Sequence, residues 1–272
     1  MTSHHGVGPL PGLVEPLKVY WRPGCTSCLR TKEYLAHHGI AFASVNVIED
    51  EVSFQDLVRL GIRRVPIVRR GDDWVDGQII KDVARIAGID VGACAILSPG
   101  DLVVRAEILL AAARRFVMQI PNKRIDDLLP HRPRSYRQLT YHTFEIYQFY
   151  LDWAEKDRPL KYADYDNAVV PTWLRQGTDL EQYGAALQRR LRDWWASRGF
   201  SENFKRKADV YYGEQTMHEF LERTVWHSGQ HARQLQLVVE KLDLVADGPI
   251  LPKDIAGLPM PANVFDDQLQ FT

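Results

Sequence analysis

The segment LKVYWRPGCTSCLRT, residues 17–31, decides how the first part of this chain folds. Its first four residues alternate as the residues of a short strand do. Pro23-Gly24 then turns the chain, and Cys25 begins a helical stretch that runs to His38 and ends at Gly39. The segment therefore predicts a strand–turn–helix unit, with Cys25 at the start of the helix and Cys28 one turn later.

The residues that follow extend this unit into a small α/β domain. Further strands are predicted at 40–47, 65–68 and 74–75, and further helices at 53–60 and 79–87, the last of them capped by Gly88. The resulting order is β-α-β-α-β-β-α in fewer than 90 residues. That order predicts a compact α/β sandwich.

The pattern changes after this domain. From Asp101 onward no convincing strand is found, and long helical stretches are predicted at 102–118, 135–156, 180–197 and 214–242, which together indicate an all-α four-helix bundle. The connection 158–177 is long for a bundle, and we expect it to cover something. We expect a flexible N-terminus at 1–16, the α/β domain at 17–90, a linker at 91–99, the bundle at 100–245 and an irregular tail at 246–272.

Composition excludes several classes of protein. With 45% hydrophobic and 25% charged residues, the 272-residue chain is long enough for two soluble domains. The net charge of −1 gives no general attraction to nucleic acid, and no apolar run is long enough to span a membrane. Residues 1–16 do not have the pattern of a signal peptide. Three cysteines are too few for a disulfide scaffold, so we expect a cytoplasmic protein. The sequence is compatible with a monomer and with an oligomer.

The pair Cys25 and Cys28 predicts thiol–disulfide chemistry. A cysteine at a helix N-terminus meets the positive end of the helix dipole, which lowers thiol pKa values to about 3.5–7.5. Cys25 would attack as the thiolate, and Cys28 would resolve the mixed disulfide that forms. Half of a zinc site and a structural disulfide are the alternatives. The first lacks a second cysteine pair, and the second does not suit the cytoplasm.

The run Tyr20-Trp21-Arg22-Pro23-Gly24-Cys25, followed about forty residues later by Val65-Pro66, resembles the glutaredoxin family over residues 17–88. The resemblance implies a thioredoxin-like fold, a thiol–disulfide oxidoreductase and a thiol cofactor, glutathione or another low-molecular-weight thiol. It also implies a cis Val65–Pro66 bond. The glutathione-binding residues that it implies are Arg22, Val65, Pro66 and Gly77. The chain departs from the family pattern at Arg64, at Thr26-Ser27 and at Asp76-Gly77-Gln78-Ile79.

Three histidines form the second candidate site. His227 and His231 lie four residues apart in a helical segment, so both point to one face, and His142 lies on the apolar stripe of the second long helix. Buried imidazoles without partners are costly. A divalent metal would satisfy all three and leave open positions, as in catalytic sites. Histidines hydrogen-bonded to Glu145 or Thr224 are the alternative.

Residues 99–243 resemble the DinB-like four-helix bundles, on the strength of Arg134-Ser135-x-x-Gln138-Leu139-x-x-His142 and His227-Ser-Gly-Gln-His231. The resemblance implies a metal, Zn²⁺ or Ni²⁺, held by His142, His227 and His231. It also implies a transferase that uses a low-molecular-weight thiol.

The sequence as a whole predicts a thiol–disulfide oxidoreductase fused to a metal-dependent, thiol-using transferase. Its partners would be a small-molecule thiol and an electrophilic or disulfide substrate, with no nucleic acid and no membrane. Two alternatives stay open. One is a redox-coupled protein that binds a metal or ligand in the bundle without catalysis. The other is a metal-dependent hydrolase with Glu145 or Glu219 as its general base.

Overall fold

The computed structural model describes residues 15–90, 96–130, 133–166 and 169–266. Residues 1–14 of the predicted flexible N-terminus lie outside the described residues. So do 91–95 of the predicted linker, including Cys94.

The first part of the chain has the predicted order of elements. The strands are β1 (Lys18–Trp21), β2 (Ala43–Asn46), β3 (Ile67–Arg70) and β4 (Asp73–Asp76), and the helices are α1 (Thr26–His37), α2 (Glu51–Arg59) and α3 (Ile80–Ala87). The sheet order is β2-β1-β3-β4. β1 runs parallel to β2, and the other neighbours are antiparallel. The thioredoxin-like fold is thereby confirmed.

Alternation along the strands gives this sheet two covered faces. Val19 pairs with Val68 and belongs to a buried cluster that also contains Leu35 of α1. The next pair, Tyr20 and Ile67, belongs to a second cluster with Leu57 of α2. Successive strand residues point to opposite faces, so helices on both sides keep both sets from water.

The rest of the chain is mainly helical. Its helices are α4 (Pro99–Gln119), α5 (Tyr136–Lys156), α6 (Tyr162–Asp166), α7 (Gly177–Ser197), α8 (Met217–Lys241) and α9 (Pro252–Ile255), with short 3₁₀ turns at Asn122–Arg124 and Gly199–Ser201. α8 packs against α4 and α5, and α7 packs against the same two helices. The four long helices therefore form a bundle around one large apolar core. None of the helices in the described ranges combines the length and the apolar character that a bilayer span requires.

The second half differs from expectation in its strands and in where its helices start. It is not free of strands, because β5 (Lys207–Ala208) pairs with β6 (Gln215–Thr216). Two-residue strands are too short to leave a periodic signal in the sequence. The last long helix starts at Met217, three residues later than predicted, because the Thr216 side chain accepts a hydrogen bond from the Glu219 backbone N–H and caps the helix there.

Direct contacts join the two halves. The Gln78 side-chain oxygen accepts hydrogen bonds from the Arg223 guanidinium at 2.5 and 3.1 Å. Arg30 of α1 lies over the Trp226 ring of α8, 4.5 Å from its centroid. Ile79 packs into the bundle core although it precedes α3. These contacts place the first turns of α1 and α3 against the first half of α8.

Residues 261–266, here called the C-terminal strap, bind both halves. The Gln230 side chain of α8 donates to the carbonyls of Asn263 and Val264 at 2.9 and 2.8 Å. The Glu33 carboxylate of α1 accepts hydrogen bonds from the strap, including one of 3.0 Å from the Asn263 backbone. α9 lies within the segment that was expected to be irregular, and residues 256–266 form no helix or strand. The strap contacts α8 on one side and α1 on the other.

Candidate functional site

The cysteine pair lies at the start of α1. Gly24 adopts a φ of 66°, a left-handed conformation that side chains disfavour, and it lets the chain turn directly from β1 into the helix. Cys25 is the N-cap residue, and its sulfur accepts a hydrogen bond from the Cys28 backbone N–H at 3.2 Å. The two cysteines form a disulfide. Cys25 is half-buried whereas Cys28 is 1% exposed, so Cys25 is the sulfur that a substrate can reach.

The Val65–Pro66 bond is cis, as the resemblance implied. Gly77 lies against this proline, because its backbone N–H donates to the Pro66 carbonyl at 2.9 Å. A Cβ atom on Gly77 would lie 2.9 Å from Pro66 Cβ, closer than side chains pack. Close packing against Pro66 therefore explains a glycine at this position, and the assignment of Gly77 to thiol binding stays a prediction.

Asp76 and Gln78 connect this region to the bundle. The buried Asp76 carboxylate accepts hydrogen bonds from Arg64 Nε at 2.8 Å and from the Gln78 backbone at 3.0 Å. Burial raises the pKa of Asp76, and these two donors counteract the rise only in part. The Gln78 side chain in turn accepts from Arg223. The positions that depart from the glutaredoxin pattern are thus among those that build the contact with α8.

The three predicted histidines come together inside the bundle. His142 of α5 and His227 and His231 of α8 are each at most 4% exposed, and their ligand nitrogens lie within 4.8 Å of one another. A capping box of Ser135 and Gln138 fixes the start of α5, which places His142 two turns into the helix. The spacing of four in α8 stacks the other two imidazoles.

Side chains one helical turn away orient two of these rings. His231 Nδ1 lies 2.7 Å from the Gln234 side-chain oxygen, and His142 Nδ1 lies 3.5 Å from a Glu145 carboxylate oxygen. Metal-binding histidines characteristically have such a partner on the second ring nitrogen. The donor set, its spacing and these partners fit one divalent ion.

Glu145 and Glu219 have different positions relative to the triad. Glu145 is buried beside His142, and burial raises its pKa to about 7 against the opposing effects of the Tyr141 hydroxyl and Arg134. Glu219 instead caps α8 at Thr216 and pairs with Lys81. Thr224, the other partner expected for metal-free histidines, makes no hydrogen bond through its hydroxyl to any described residue.

A single cleft brings the two candidate sites together. The space within it that a water molecule can reach is about 30 Å³, and Cys25 lines it together with His227 and His231. The predicted thiol-binding residues Arg22 and Val65 also line it, whereas Pro66 and Gly77 do not. The other lining residues come from both halves: Gly24, Thr26, Ser27, Gln78, Arg134, Tyr162 and Tyr211.

Sequence reasoning did not assign Gln78, Arg134, Tyr162 or Tyr211 to a site. The long connection that contains Tyr162 was expected to cover something, and Tyr162 both lines the cleft and donates a hydrogen bond to the Arg63 carbonyl at 3.3 Å. That unusual loop length was the available signal. Tyr211 and Gln78 gave none, because their place in the cleft depends on how the halves pack.

Comparison with known proteins agrees with the site around Cys25. The glutaredoxin family model matches residues 17–75. A glutaredoxin-like 8.6 kDa protein encoded in a rubredoxin operon of Clostridium pasteurianum is 35% identical over 65 residues, which are 24% of this chain and 80% of that protein. The chain belongs to the glutaredoxin family through residues 17–75.

Two further relatives match the same part of this glutaredoxin. The glutaredoxin-like protein NrdH of Lactococcus lactis subsp. cremoris is 28% identical over 69 residues, 25% of this chain and 96% of the relative. The global transcriptional regulator Spx 2 of Lactococcus lactis subsp. lactis is 33% identical over 63 residues, 23% of this chain and 42% of the regulator. Together with the Cys25–Cys28 pair, these findings make the glutaredoxin domain a thiol–disulfide oxidoreductase.

Proposed function

We propose that this protein couples its glutaredoxin dithiol to metal-dependent thiol transfer in the helical half. The observation that carries the proposal is the shared cleft, which Cys25, His227 and His231 all line. A thiol released at Cys25 would therefore emerge beside the histidines.

The cysteine steps need only the two sulfurs. The Cys25 thiolate attacks a disulfide RS–SR′, so that a Cys25–SR bond forms and R′S⁻ leaves. The Cys28 thiolate then attacks Cys25 Sγ, which forms the intramolecular disulfide and expels RS⁻. The substrate disulfide is reduced by two electrons and the cysteine pair is oxidised. Cys25 is the half-buried member and Cys28 the buried one, which suits these roles.

The helical half would supply the second activity. Its resemblance to DinB-like bundles and the fit of the triad support a site for one Zn²⁺ or Ni²⁺ ion at His142, His227 and His231. A divalent ion held there would lower the pKa of a bound thiol and so make it nucleophilic toward an electrophile. Gln234 and Glu145 would hold His231 and His142 in orientation.

The cleft favours a thiol that carries carboxylates. Arg22 comes from the glutaredoxin half and Arg134 from the helical half, and both line the cleft. Guanidinium groups recognise carboxylates with paired hydrogen bonds. The carboxylates of glutathione, or of another low-molecular-weight thiol with acidic groups, would pair with these arginines, and the Val65 backbone would align the thiol. A dithiol that must be reduced again after each turnover suits the cytoplasm.

A metal-dependent hydrolase is the second candidate, and Glu145 is the observation that favours it. Its carboxylate lies 3.5 Å from His142 Nδ1 and has a pKa of about 7, a value suited to a general base near neutral pH. A thiol transferase consumes a thiol in proportion to product, whereas a hydrolase works without one. Omission of the thiol from the assay separates the two activities.

The test is metal analysis of the full-length protein after loading with Zn²⁺ or Ni²⁺, followed by a screen of electrophiles with glutathione. We expect one ion per chain and conjugation that depends on it. His218→Ala is the matched control for His227→Ala, because His218 also lies on α8 but binds the Leu97 carbonyl. Absence of stoichiometric metal in the parent protein would refute the metal-dependent part of the proposal.

A further inference from the structure

We propose that Cys25 is also a fourth, redox-controlled ligand of the triad's metal. The disulfide form would leave the metal site open, and the reduced form would close it. The inference rests on the proposed metal site and adds to it a ligand from the other half of the chain.

The first support is placement. The cleft that reaches His227 and His231 is also lined by Cys25, whereas Cys28 is 1% exposed and does not line it. Of the two cysteines, only Cys25 therefore lines the same cleft as histidines of the triad.

The second support is that this placement is fixed near the histidines. Gln78 binds Arg223, one helical turn before His227. Arg30 covers Trp226, whose ring stacks on His227 at a centroid distance of 5.5 Å. The C-terminal strap holds Gln230, the residue before His231, while it binds Glu33 of α1. α1, which Cys25 caps, is therefore anchored to α8 on both sides of His227.

The third support is ligand chemistry. Three neutral imidazoles leave one position of a tetrahedral zinc site, and a thiolate is among the donors that zinc prefers. A disulfide sulfur carries no charge and is a poor donor. Reduction by two equivalents of a small thiol, RSH, breaks the Cys25–Cys28 bond and forms RSSR and two cysteine thiols. Binding of Cys25 to the metal then releases its proton to solvent, while Cys28 keeps its own.

The function that follows is reciprocal control of the two activities. When small thiols are plentiful and the pair is reduced, Cys25 binds the metal, so that neither Cys25 nor the metal is free to bind a substrate. When disulfides accumulate and oxidise the pair, the metal position becomes free for an external thiol.

Cobalt is the probe for the experiment, because a thiolate bound to Co²⁺ gives a charge-transfer band that imidazole does not give. The full-length protein is titrated with Co²⁺ and then Zn²⁺ at neutral pH, once oxidised and once reduced and freed of reductant. We expect the band in the reduced form only. We also expect the reduced form to bind the metal at least roughly tenfold more tightly than the oxidised form. A residue that only hydrogen-bonds a metal ligand already contributes that much to affinity. Cys28→Ser should keep the band, and Cys25→Ser should lose it.

Alkylation gives an independent readout. Zn²⁺ should slow the alkylation of Cys25 in the reduced parent, and it should not do so in His227→Ala. One ion per chain with equal affinity in both redox states and no band would overturn this inference but leave the metal site standing. A band that persists in Cys25→Ser would overturn it as well. No Co²⁺ binding in either state would overturn the proposed function and this inference together.

Discussion

The cysteine pair and the histidine triad reach one cleft through Cys25, His227 and His231, yet the chain builds the two sites in opposite ways. Cys25 and Cys28 lie three residues apart on one helix, and the turn at Gly24 and the N-terminus of α1 create their setting locally. The triad joins two helices that are distant in sequence and is enclosed by the bundle. A local site depends on a short segment and withstands changes elsewhere. A non-local site is lost with any change that shifts α5 against α8.

The largest effect is expected from mutations of the local site, the cysteine pair. Cys25→Ser should abolish thiol–disulfide exchange, because its disulfide partner Cys28 is buried and cannot take over the attack. Cys28→Ser should trap a mixed disulfide at Cys25, since attack survives and resolution does not. Exchange assays and mass spectrometry of the trapped species measure both outcomes. If Cys28 proves to be the thiol that is alkylated faster near neutral pH, the assigned roles are reversed.

The next largest effect is expected from mutations of the non-local site, the histidine triad. His142→Ala or His227→Ala should weaken Zn²⁺ binding by more than the roughly 10–100-fold that loss of an outer-shell partner costs. In the parent, affinity should fall as pH drops through about 6.5, because each ligand must be a neutral imidazole. Thiol–disulfide exchange should survive in both variants. Metal titrations measure the first two effects, and an equal loss in His218→Ala would contradict the assignment.

A smaller effect is expected from a mutation at the contact between the two halves, and it tests how far the two sites depend on that contact. Gln78→Ala removes an acceptor from the buried Arg223 guanidinium and should lower the free energy of unfolding by about 1–3 kcal/mol. Gln55→Ala, at an exposed position on α2, is the matched control and should have little effect. Chemical denaturation measures both. Equal stability of the two variants would show that the halves do not depend on this contact.

The smallest effect is a pH dependence at Asp76. Burial raises its pKa in the folded protein, so the folded state disfavours the charged form. This group's contribution to stability is therefore complete below its unfolded pKa and is lost as pH rises through the raised folded value. Asp76→Asn should flatten that decline in the free energy of unfolding, measured on the oxidised, metal-free protein. Asp72→Asn, at an exposed position, is the control and should leave the slope unchanged. If Asp76→Asn also leaves the slope unchanged, the folded state does not disfavour the charged Asp76 carboxylate, and the prediction is wrong.

The sequence was informative wherever the signal was local. The order of the first seven elements followed from alternation and turn residues, and the four long helices followed from their periodicity. Helix ends were less well predicted although caps were present, since Ser98 before Pro99 starts α4 three residues ahead of the predicted start. The triad could be proposed because helical spacing fixes His227 and His231 on one face.

The meeting of the two candidate sites could not be predicted. It depends on packing between halves, through side chains such as Gln78 and Arg223 that have no mutual pattern in the sequence. The strap could not be predicted either. Apart from one bond donated by the Asn263 side chain, its hydrogen bonds to Gln230 and Glu33 use the backbone of residues 262–264, which any sequence could offer.

The position of Cys25 beside the helical half also bears on how a disulfide reaches it. An approaching disulfide must pass a wall to which Arg134, Tyr162 and Tyr211 of the helical half contribute. A disulfide on the surface of a folded protein would have to bring its sulfur past the same side chains. For the small-molecule disulfide that we propose as substrate, the helical half would thus set the access to the cysteines as well as supply the second activity.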